Sequence, residues 1–396
     1  GAIIDGTVHI AVGKGPDTHA VPTIEWVEDT RVIGTVTSTV RVGSFYCRRL
    51  NIDKILITEI NPAYINQTVE GGTKGVHLYC GTKDTEVGEI IIKSATGAGY
   101  AFSLDRATTN DADHIPNNVH IGRLVVHNNT QAIISTNSTV NLTIDEVIAD
   151  SWDTYAAMTL TADTDLRIGK ITAAATPSTP SRDGIYVLNG VSASFGEVNI
   201  SGSTQIGFRT FNCGKVDVGI IWSKGNALDQ VRLESPGTVG RIETSNSGTG
   251  VGVQVQGNAA GLEINSIYDN GGGGVTVISD DVVIPRITSK NNLAAGKYGL
   301  WLNGADRFVN DYLLSDTNSQ GLRMTTVTYP SFGALYIQNN THGIVGSTVS
   351  GLAYRSVAYS GNTAYDTNLT LNTSPGFRGA SVRASTGALT DADATL

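Results

Sequence analysis

Three carboxylates and a set of arginine and aromatic residues are the side chains of this sequence best suited to chemistry. Asp183 and Asp229 each stand three residues before a recurring strand position, Tyr186 and Arg232 respectively. If these strands stack two coils apart, their backbones lie about 10 Å apart, compatible with an acid and a base that activate water on a glycosidic bond. Glu234 is the third catalytic candidate, although it has the alternative of pairing with Arg232. Each carboxylate alone is also typical of a solvated turn residue or a salt-bridge partner.

The second set of side chains faces outward from the same strands. Tyr, Trp and Arg side chains stack on sugar rings, and Arg and Gln bind hydroxyl or carboxylate oxygens. We predict substrate contacts from six positions: Tyr186, Arg209, Arg232, Gln254, Trp301 and Arg323. A lyase would instead use Arg209 or Arg232 with Tyr186 to abstract a proton beside a uronic acid. A mixed polar sheet face without a ligand is the remaining alternative.

A twelve-fold repeat must position these residues. Its pattern is apolar, any, apolar, turn residue, any, apolar, any, apolar, and it starts at residues 50, 85, 119, 142, 166, 193, 216, 237, 262, 282, 307 and 330. A period of 20 to 27 residues from residue 119 onward is typical of one turn of a solenoid. The turn position holds Asp53, Gly88, Gly122, Asp145, Gly169, Gly196, Gly219, Gly240, Asn265, Pro285, Asn310 and Gly333. We expect this turn column to bend the chain through left-handed conformations, except at Pro285.

A second strand follows in each repeat, as in GIYV at 184, GFRT at 207, GVQV at 252 and GLWL at 299. The two patterns together predict an all-β, right-handed parallel β-helix with three strands per coil and about twelve coils. We assign residues 49–346 to this β-helix and residues 1–48 to an N-terminal cap. Residues 347–396 are predicted to form a C-terminal connector or trimerisation segment.

Stacked coils turn equivalent positions into outward columns. The residue after the turn alternates in sign along Lys54, Glu89, Arg123, Glu146, Lys170 and Glu197, which predicts a ladder of exposed ion pairs. Two positions later the column is largely apolar: Leu56, Ile91, Val125, Ile148, Thr172, Asn199, Trp222, Glu243, Tyr268, Thr288, Leu313 and Tyr336. Such a strip predicts association of identical chains, although loops of the same chain could also cover it.

Composition argues against several classes of protein. The net charge of −9 disfavours a sequence-independent grip on nucleic acid phosphates. Three widely spaced cysteines, Cys47, Cys80 and Cys213, favour buried thiols over a disulfide framework. The sequence shows neither a transmembrane run nor a signal peptide, and no motif indicates a metal or another cofactor. We therefore expect no nucleic acid partner, no membrane insertion and no cofactor.

The turn column and the GIYV, GFRT, GVQV and GLWL strands also carry a family resemblance. The chain resembles the pectate-lyase-like β-helix superfamily, and within it the tailspike and neck-appendage proteins of tailed bacteriophages. The resemblance implies a homotrimer on the virion tail that attaches to bacterial surface polysaccharide, a capsule or an O-antigen, often with hydrolase or lyase activity. No family catalytic motif aligns residue by residue. A non-catalytic adhesin or structural shaft is therefore the competing hypothesis.

Overall fold

The repeat forms strands because buried apolar side chains alternate with exposed polar ones. In the segment Lys83–Ile92, Val87, Ile90 and Ile92 are fully buried while Glu86 is exposed. This alternation packs one face of a strand against a core and leaves the other toward solvent. The computed structural model describes residues 3–4, 7–12, 24–39, 41–59, 74–94, 100–105, 112–127, 132–150, 152, 156–174, 183–271, 273–371 and 382–383.

The chain forms two compact units. Unit 1 comprises Gly1–Thr204 with Asn212–Lys215, and unit 2 comprises Gln205–Phe211 with Val216–Leu396. The strands up to residue 201 are β1 Ile3–Ile4, β2 Thr7–Val12, β3 Val27–Glu28, β4 Arg31–Ser38, β5 Arg41–Phe45, β6 Cys47–Arg48, β7 Asn51–Ile57, β8 Lys74–Tyr79, β9 Lys83–Ile92, β10 Tyr100–Asp105, β11 Asn117–Val126, β12 Ala132–Asn137, β13 Val140–Ala149, β14 Met158–Thr161, β15 Leu166–Ala174, β16 Ile185–Leu188 and β17 Ser192–Ser201. A single 3₁₀ turn within the described ranges spans Ala112–His114.

The later strands continue the same order. They are β18 Phe208–Phe211, β19 Lys215–Lys224, β20 Val231–Glu234, β21 Gly237–Ser245, β22 Val253–Val255, β23 Glu263–Asn270, β24 Val275–Val277, β25 Arg286–Lys290, β26 Tyr298–Asn303, β27 Val309–Asp316, β28 Gln320–Thr328, β29 Ser331–Gln338, β30 His342–Ser350, β31 Ala353–Ser360, β32 Tyr365–Leu371 and β33 Val382–Arg383.

The fold is a parallel β-solenoid of about thirteen turns, all-β and almost without helix. Long strands such as β9, β11 and β13 pair in parallel in one sheet, which we call sheet A. Short strands such as β8, β10 and β12 pair in parallel in a second sheet, sheet B. The two strands expected on either side of the turn column form one strand of up to ten residues, so most coils contribute two strands.

The glycines of the turn column are required by close packing, not by backbone conformation. None of them has a positive φ, so the expectation of left-handed turns at this column is wrong. A Cβ on Gly122 would lie 2.5 Å from the carbonyl oxygen of Gly88, and one on Gly196 would lie 2.3 Å from that of Gly169. A carbon atom at that distance overlaps the oxygen. The column therefore selects glycine because the carbonyl of one coil points at the Cα of the next.

One repeat in unit 2 is shifted by a residue from the predicted alignment. Asn310 pairs with Phe332 and points inward, 1% exposed, while Val309 is 36% exposed. Asp311, not Asn310, is therefore the turn-column residue of this coil. Accordingly Leu313 is buried in the core, and Leu314 takes its place between Thr288 and Tyr336 in the outward column. The amides of Asp311 and Tyr312 both donate to the Pro285 carbonyl, which adds one residue to β27 relative to β25.

The predicted ladder of ion pairs is confirmed in unit 1. The Lys54 ammonium lies 2.7 Å from Glu89, and Arg123 reaches both Glu89 at 3.3 Å and Glu146 at 3.0 Å. Lys170 pairs with Glu197 at 3.6 Å on neighbouring strands. These groups are partly or largely exposed, so each pair contributes at most about 1 kcal/mol.

Unit 2 contains a buried asparagine ladder that the sequence interpretation did not identify. It consists of Asn292, Asn318, Asn340 and Asn362, one per coil at the end of a sheet A strand. The side-chain oxygen of each later member accepts the backbone amide of the one before, at 3.0, 2.8 and 3.0 Å. At the base, Asn292 Nδ2 donates to buried Asp269 at 2.7 Å. The ladder satisfies corner backbone groups that would otherwise be buried without partners.

The parallel pairing extends beyond both predicted ends of the β-helix. In unit 1, β4 pairs with β7 and β5 with β8, before residue 49. In unit 2, β31 and β32 pair with β29 and β30, after residue 346. The roles of the ends as cap and connector stay predictions. After residue 371 only Val382–Arg383 lies within the described residues. All three cysteines are buried free thiols, as predicted.

Candidate functional site

Six residues on the outward side of sheet B in unit 2 stack in register; five of them are partly exposed, and Thr276 is 3% exposed. The cross-strand partners run Arg209, Arg232, Gln254, Thr276, Trp301 and Arg323, one from each strand between β18 and β28. We call this set the sheet B column. It contains five of the six predicted substrate contacts. The sixth, Tyr186, lies in unit 1, where it pairs with Thr159.

Local sequence explains why these side chains point outward. In β20, Val231 and Leu233 are buried on either side of Arg232. In β26, Leu300 and Leu302 are fully buried on either side of Trp301. Alternate residues of a strand face opposite sides, so fixing the apolar pairs in the core fixes the residue between them toward solvent.

Asp229, two residues before β20, pairs with Arg232, the second residue of that strand. Arg232 donates to Asp229 Oδ2 from Nε at 2.8 Å and from Nη2 at 2.5 Å, and the amide of Val251 donates to Oδ1 at 3.0 Å. The side chain of Asp229 is 7% exposed. Both oxygens of Asp229 therefore accept hydrogen bonds, and the two from Arg232 fix the direction of that guanidinium.

Glu234 pairs with Arg209, not with Arg232 as the sequence alternative suggested. Arg209 Nε donates to Glu234 Oε1 at 3.0 Å from the neighbouring strand. The Glu234 side chain is 8% exposed, and its backbone amide donates to Thr210 Oγ1 at 3.1 Å. Two of the predicted catalytic carboxylates thus each hold one arginine of the sheet B column.

Asp183 lies in unit 1 and is 5% exposed. The predicted distance of about 10 Å between the backbones of Asp183 and Asp229 stays a prediction, because the two residues belong to different units. The same holds for a catalytic role of Asp183, Asp229 or Glu234.

Lys297 is a further charged residue beside the column that the sequence interpretation missed. Its Nζ donates to the carbonyl oxygens of Thr249, at 2.7 Å, and Gly250. Partial burial lowers the pKa of this ammonium, while the nearby Asp229 and Asp269 carboxylates oppose that shift. The lysine sits directly before the strand of Trp301, but nothing in its local sequence shows that it reaches back to residues 249 and 250.

Aromatic side chains form the other end of the column. The rings of Tyr298 and Trp301 lie 5.1 Å apart at 47°, and the Arg323 guanidinium carbon lies 5.2 and 5.3 Å from their centroids. Arg323 Nη1 donates to Tyr298 Oη at 2.8 Å. Gln254 donates to Gln256 at 2.7 Å between these aromatics and the arginine pairs. Tyr298 was absent from the predicted site, although it lies three residues before Trp301 and one residue before the GLWL motif.

Sheet B in unit 1 holds a different, buried cluster around His77. Arg41 Nη2 lies 2.7 Å from His77 Nδ1, so Nδ1 accepts and Nε2 carries the proton toward Asp105, 3.4 Å away. Burial lowers the His77 pKa to about 4, against the opposing effect of Asp105. The cross-strand partner of His77, Ser103, is also fully buried. Fully buried imidazole and guanidinium groups indicate a structural cluster.

Within the described ranges, no three His, Cys, Asp or Glu side chains are grouped closely enough to hold a metal ion. Among the same residues, no helix is long and apolar enough to cross a membrane.

No protein-family model, curated protein or solved structure matches this chain. The parallel β-solenoid of about thirteen turns is consistent with a pectate-lyase-like β-helix fold, and that fold suits a protein that binds or depolymerises polysaccharide.

Proposed function

We propose that the protein binds a polysaccharide along the sheet B column of unit 2. The observation that carries the proposal is the in-register run from Arg209 to Arg323, in which five of the six coils present a partly exposed side chain and the sixth holds the buried Thr276. Arginine and glutamine supply planar hydrogen-bonding groups, and the Tyr298–Trp301 pair supplies apolar ring surface. Parallel coils repeat these groups at about 4.8 Å, which suits an extended chain of sugars.

The biological setting we propose follows from the sequence resemblance. The protein would act as a receptor-binding protein on a bacteriophage tail, assembled as a homotrimer and directed at a bacterial capsule or O-antigen. The solenoid fold supports a polysaccharide ligand in general. The phage, the trimer and the bacterial surface are parts of the proposal.

Cleavage of the glycan is the second candidate function. Asp229 and Glu234 favour it, because both are buried carboxylates: Asp229 lies two residues before β20, Glu234 ends it, and the outward Arg232 lies between them. Paired carboxylates flanking a glycosidic bond are the machinery of most glycoside hydrolases. Both groups are engaged by arginines, however, so binding without cleavage is the function that the geometry supports best. Proton abstraction by Arg209 or Arg232 would require breaking those pairs.

Binding is tested with an array of bacterial polysaccharides and the full chain. We expect Trp301→Ala to lose about tenfold or more in affinity for the glycan that the wild type binds, since each stacked ring contributes about 1 to 2 kcal/mol. Tyr329→Ala removes an aromatic residue that is 65% exposed and outside the column, so it is the matched control. Equal loss in both variants, or no glycan bound by the wild type, contradicts the proposal.

Cleavage is tested by chain length of the bound glycan after incubation. A hydrolase shortens the chains, a lyase also produces new absorbance near 235 nm from an unsaturated sugar end, and a binding protein leaves them unchanged. If shortening occurs, Asp229→Asn and Glu234→Gln are expected to lower the rate at least a hundredfold. Full activity in both variants, with unchanged melting temperatures, removes these two residues from the catalytic assignment and leaves Asp183→Asn as the next variant.

A further inference from the structure

The arginines at the two ends of the sheet B column differ in whether a carboxylate balances their charge. Arg209 and Arg232 each hydrogen-bond a buried carboxylate, Glu234 and Asp229 respectively. In the described part of unit 2, Arg323 forms no ion pair with an Asp or Glu side chain, and its polar contact is the neutral Tyr298 hydroxyl. The positive charge at the aromatic end is therefore not balanced by a neighbouring acid.

The surroundings of Arg323 hold its guanidinium in place without using most of its donors. A guanidinium carries five N–H groups, and the contact to Tyr298 uses one of them. The rings of Tyr298 and Trp301 shield part of the group from water, since its carbon lies 5.2 and 5.3 Å from their centroids. A partly desolvated, pre-positioned guanidinium favours a planar anion over water.

Among the described residues, the in-register neighbours of Trp301 and Arg323 on the adjacent coils carry no charge. Thr276 lies beside Trp301 in register on one side, and Val345 lies beside Arg323 on the other. Lys297, one residue before Tyr298, has its ammonium held by the Thr249 and Gly250 carbonyls. The Lys297 ammonium also lies near the Asp229 and Asp269 carboxylates, so Arg323 is the cation among these residues that no carboxylate opposes.

We infer that Arg323 binds the carboxylate of an acidic sugar whose ring packs against Trp301 and Tyr298. The inference rests on the proposed function and narrows its ligand to glycans that carry a carboxylate at this position. The arginines already paired with Asp229 and Glu234 are left to bind neutral hydroxyl groups. A sulfate ester has a similar charge, so the test must separate the two anions.

The test uses methyl β-glucuronide and methyl β-glucoside, which share a pyranose ring and differ in the carboxylate. Binding is followed by NMR on the indole N–H of Trp301, assigned by its loss in Trp301→Phe; the chain has four tryptophans. We expect the glucuronide to shift this signal with at least about tenfold higher affinity than the glucoside, as a charge-assisted hydrogen bond allows. Glucose 6-sulfate is the third probe, and equal affinity for it contradicts the carboxylate assignment.

Two variants make the result specific to Arg323. Arg323→Gln is expected to remove the preference for glucuronide, and Arg323→Lys to retain part of it. Arg286→Gln is the matched control, because Arg286 stacks on an aromatic residue of sheet A, 4.9 Å from the Tyr312 ring centroid. Equal affinity of the wild type for both glycosides, no shift with either, or an unchanged preference in Arg323→Gln overturns the inference.

The outcome is separable from that of the proposed function. If the polysaccharide array shows Trp301-dependent binding of neutral glycans only, the proposed function stands and the carboxylate inference fails. If glucuronide binds at Arg323 but no polysaccharide binds, the acidic sugar site stands and the extended glycan face fails.

Discussion

Each arginine at one end of the sheet B column is held by its own buried carboxylate. The side chains of Asp229 and Glu234 are 7% and 8% exposed, so removal of either arginine would leave a poorly solvated negative charge. These pairs fix the direction of Arg209 and Arg232 before any ligand arrives. Arg323 is held by aromatic rings instead, so its positive charge is not balanced by a carboxylate and can attract an anion.

A single buried residue of unit 1, Asp163, provides a test of how the stability of the fold depends on pH. Its Oδ1 accepts the Thr139 amide at 2.9 Å and the Thr139 hydroxyl at 2.8 Å, while Thr136 donates to Oδ2. Burial raises the Asp163 pKa to about 6, against the lowering effect of these hydrogen bonds. Because the folded pKa is above the unfolded value of 3.8, the folded state binds more protons between about pH 4 and 6.

We therefore predict that Asp163→Asn gains stability relative to the wild type as pH rises from about 4 to 6, by about 2 kcal/mol. The wild type loses the contribution of the protonated group over this window, and asparagine does not titrate. Melting temperatures of both proteins at pH 4, 5, 6 and 7 provide the measurement. A constant difference across this range would show that the Asp163 pKa is not raised. His77 titrates in the opposite sense in both proteins and cancels in the comparison.

Among the elements, the sheet A strands depend on glycine where carbonyls of stacked coils approach. We predict that Gly196→Ala destabilises the protein by about 1 to 3 kcal/mol, because its Cβ would lie 2.3 Å from the Gly169 oxygen. Ser194→Ala, at an exposed position of the same strand, is the control and should change stability by less than about 0.5 kcal/mol. Denaturant or thermal midpoints measure both, and equal midpoints would show that the coil spacing relaxes to admit a methyl group.

The asparagine ladder is expected to stabilise the corner that follows the sheet A strands of unit 2. Asn318→Ala removes the acceptor of the Asn292 amide and the donor to the Ser289 carbonyl, 3.0 Å away, in a fully buried corner. We expect a loss of about 2 to 3 kcal/mol in the free energy of unfolding, because buried polar groups lose their partners. Thr341→Ala, an exposed position between the last two ladder residues, is the control. Comparable midpoints for both variants would contradict a stabilising ladder.

The elements also show what the sequence could predict. The strands and the sheet B column were predictable because apolar residues such as Val231 and Leu233 fix the side of each strand that faces the core. The repeat at β27 was misaligned because two of its inward positions hold the polar residues Asn310 and Ser315, whose side chains donate hydrogen bonds to the carbonyl oxygens of Ile284 and Gly321 in the core. At these two positions the inward residues are polar, so the alternation of apolar and polar residues does not show which side of the strand faces the core.

The site itself was only partly predictable for a related reason. The arginines were visible as column positions, but their carboxylate partners were not assignable, since Glu234 could reach Arg232 on its own strand as well as Arg209 on the next. Lys297 was missed because its contacts lie 47 and 48 residues earlier in the chain. A contact that depends on the path of a long side chain over an intervening coil leaves no periodic pattern.

For the whole molecule, the outward apolar column of sheet A bears on assembly. In unit 2 it exposes Tyr268 at 41% and Tyr336 at 42%, with Leu314 and Trp222 partly exposed in the same column. An apolar strip on a protein surface is typical of an interface between chains. The column favours association of identical chains, of which the proposed homotrimer is one form.

We predict that the wild type sediments with three times the mass of one chain. The double variant Tyr268→Arg and Tyr336→Arg should sediment at one chain mass at the same concentration, because two buried charges per chain would face their counterparts across the interface. Lys224→Ala, in the neighbouring polar column, is the control. A single-chain mass for the wild type would contradict the trimer and leave the strip to another partner.

The in-register stacking of the sheet B column also constrains how a bound chain can be placed. Successive column side chains are separated by a fixed strand spacing of about 4.8 Å, but no two neighbouring positions from Gln254 to Arg323 offer the same chemistry. A ligand displaced by one coil would bring its charged unit to Trp301 and its apolar ring to the position of Thr276, which is 3% exposed and offers no ring surface. A polymer of identical sugars would therefore bind equally well after a shift by one sugar. A polymer with a periodic branch or acid would bind only in positions that bring this unit to its matching side chain.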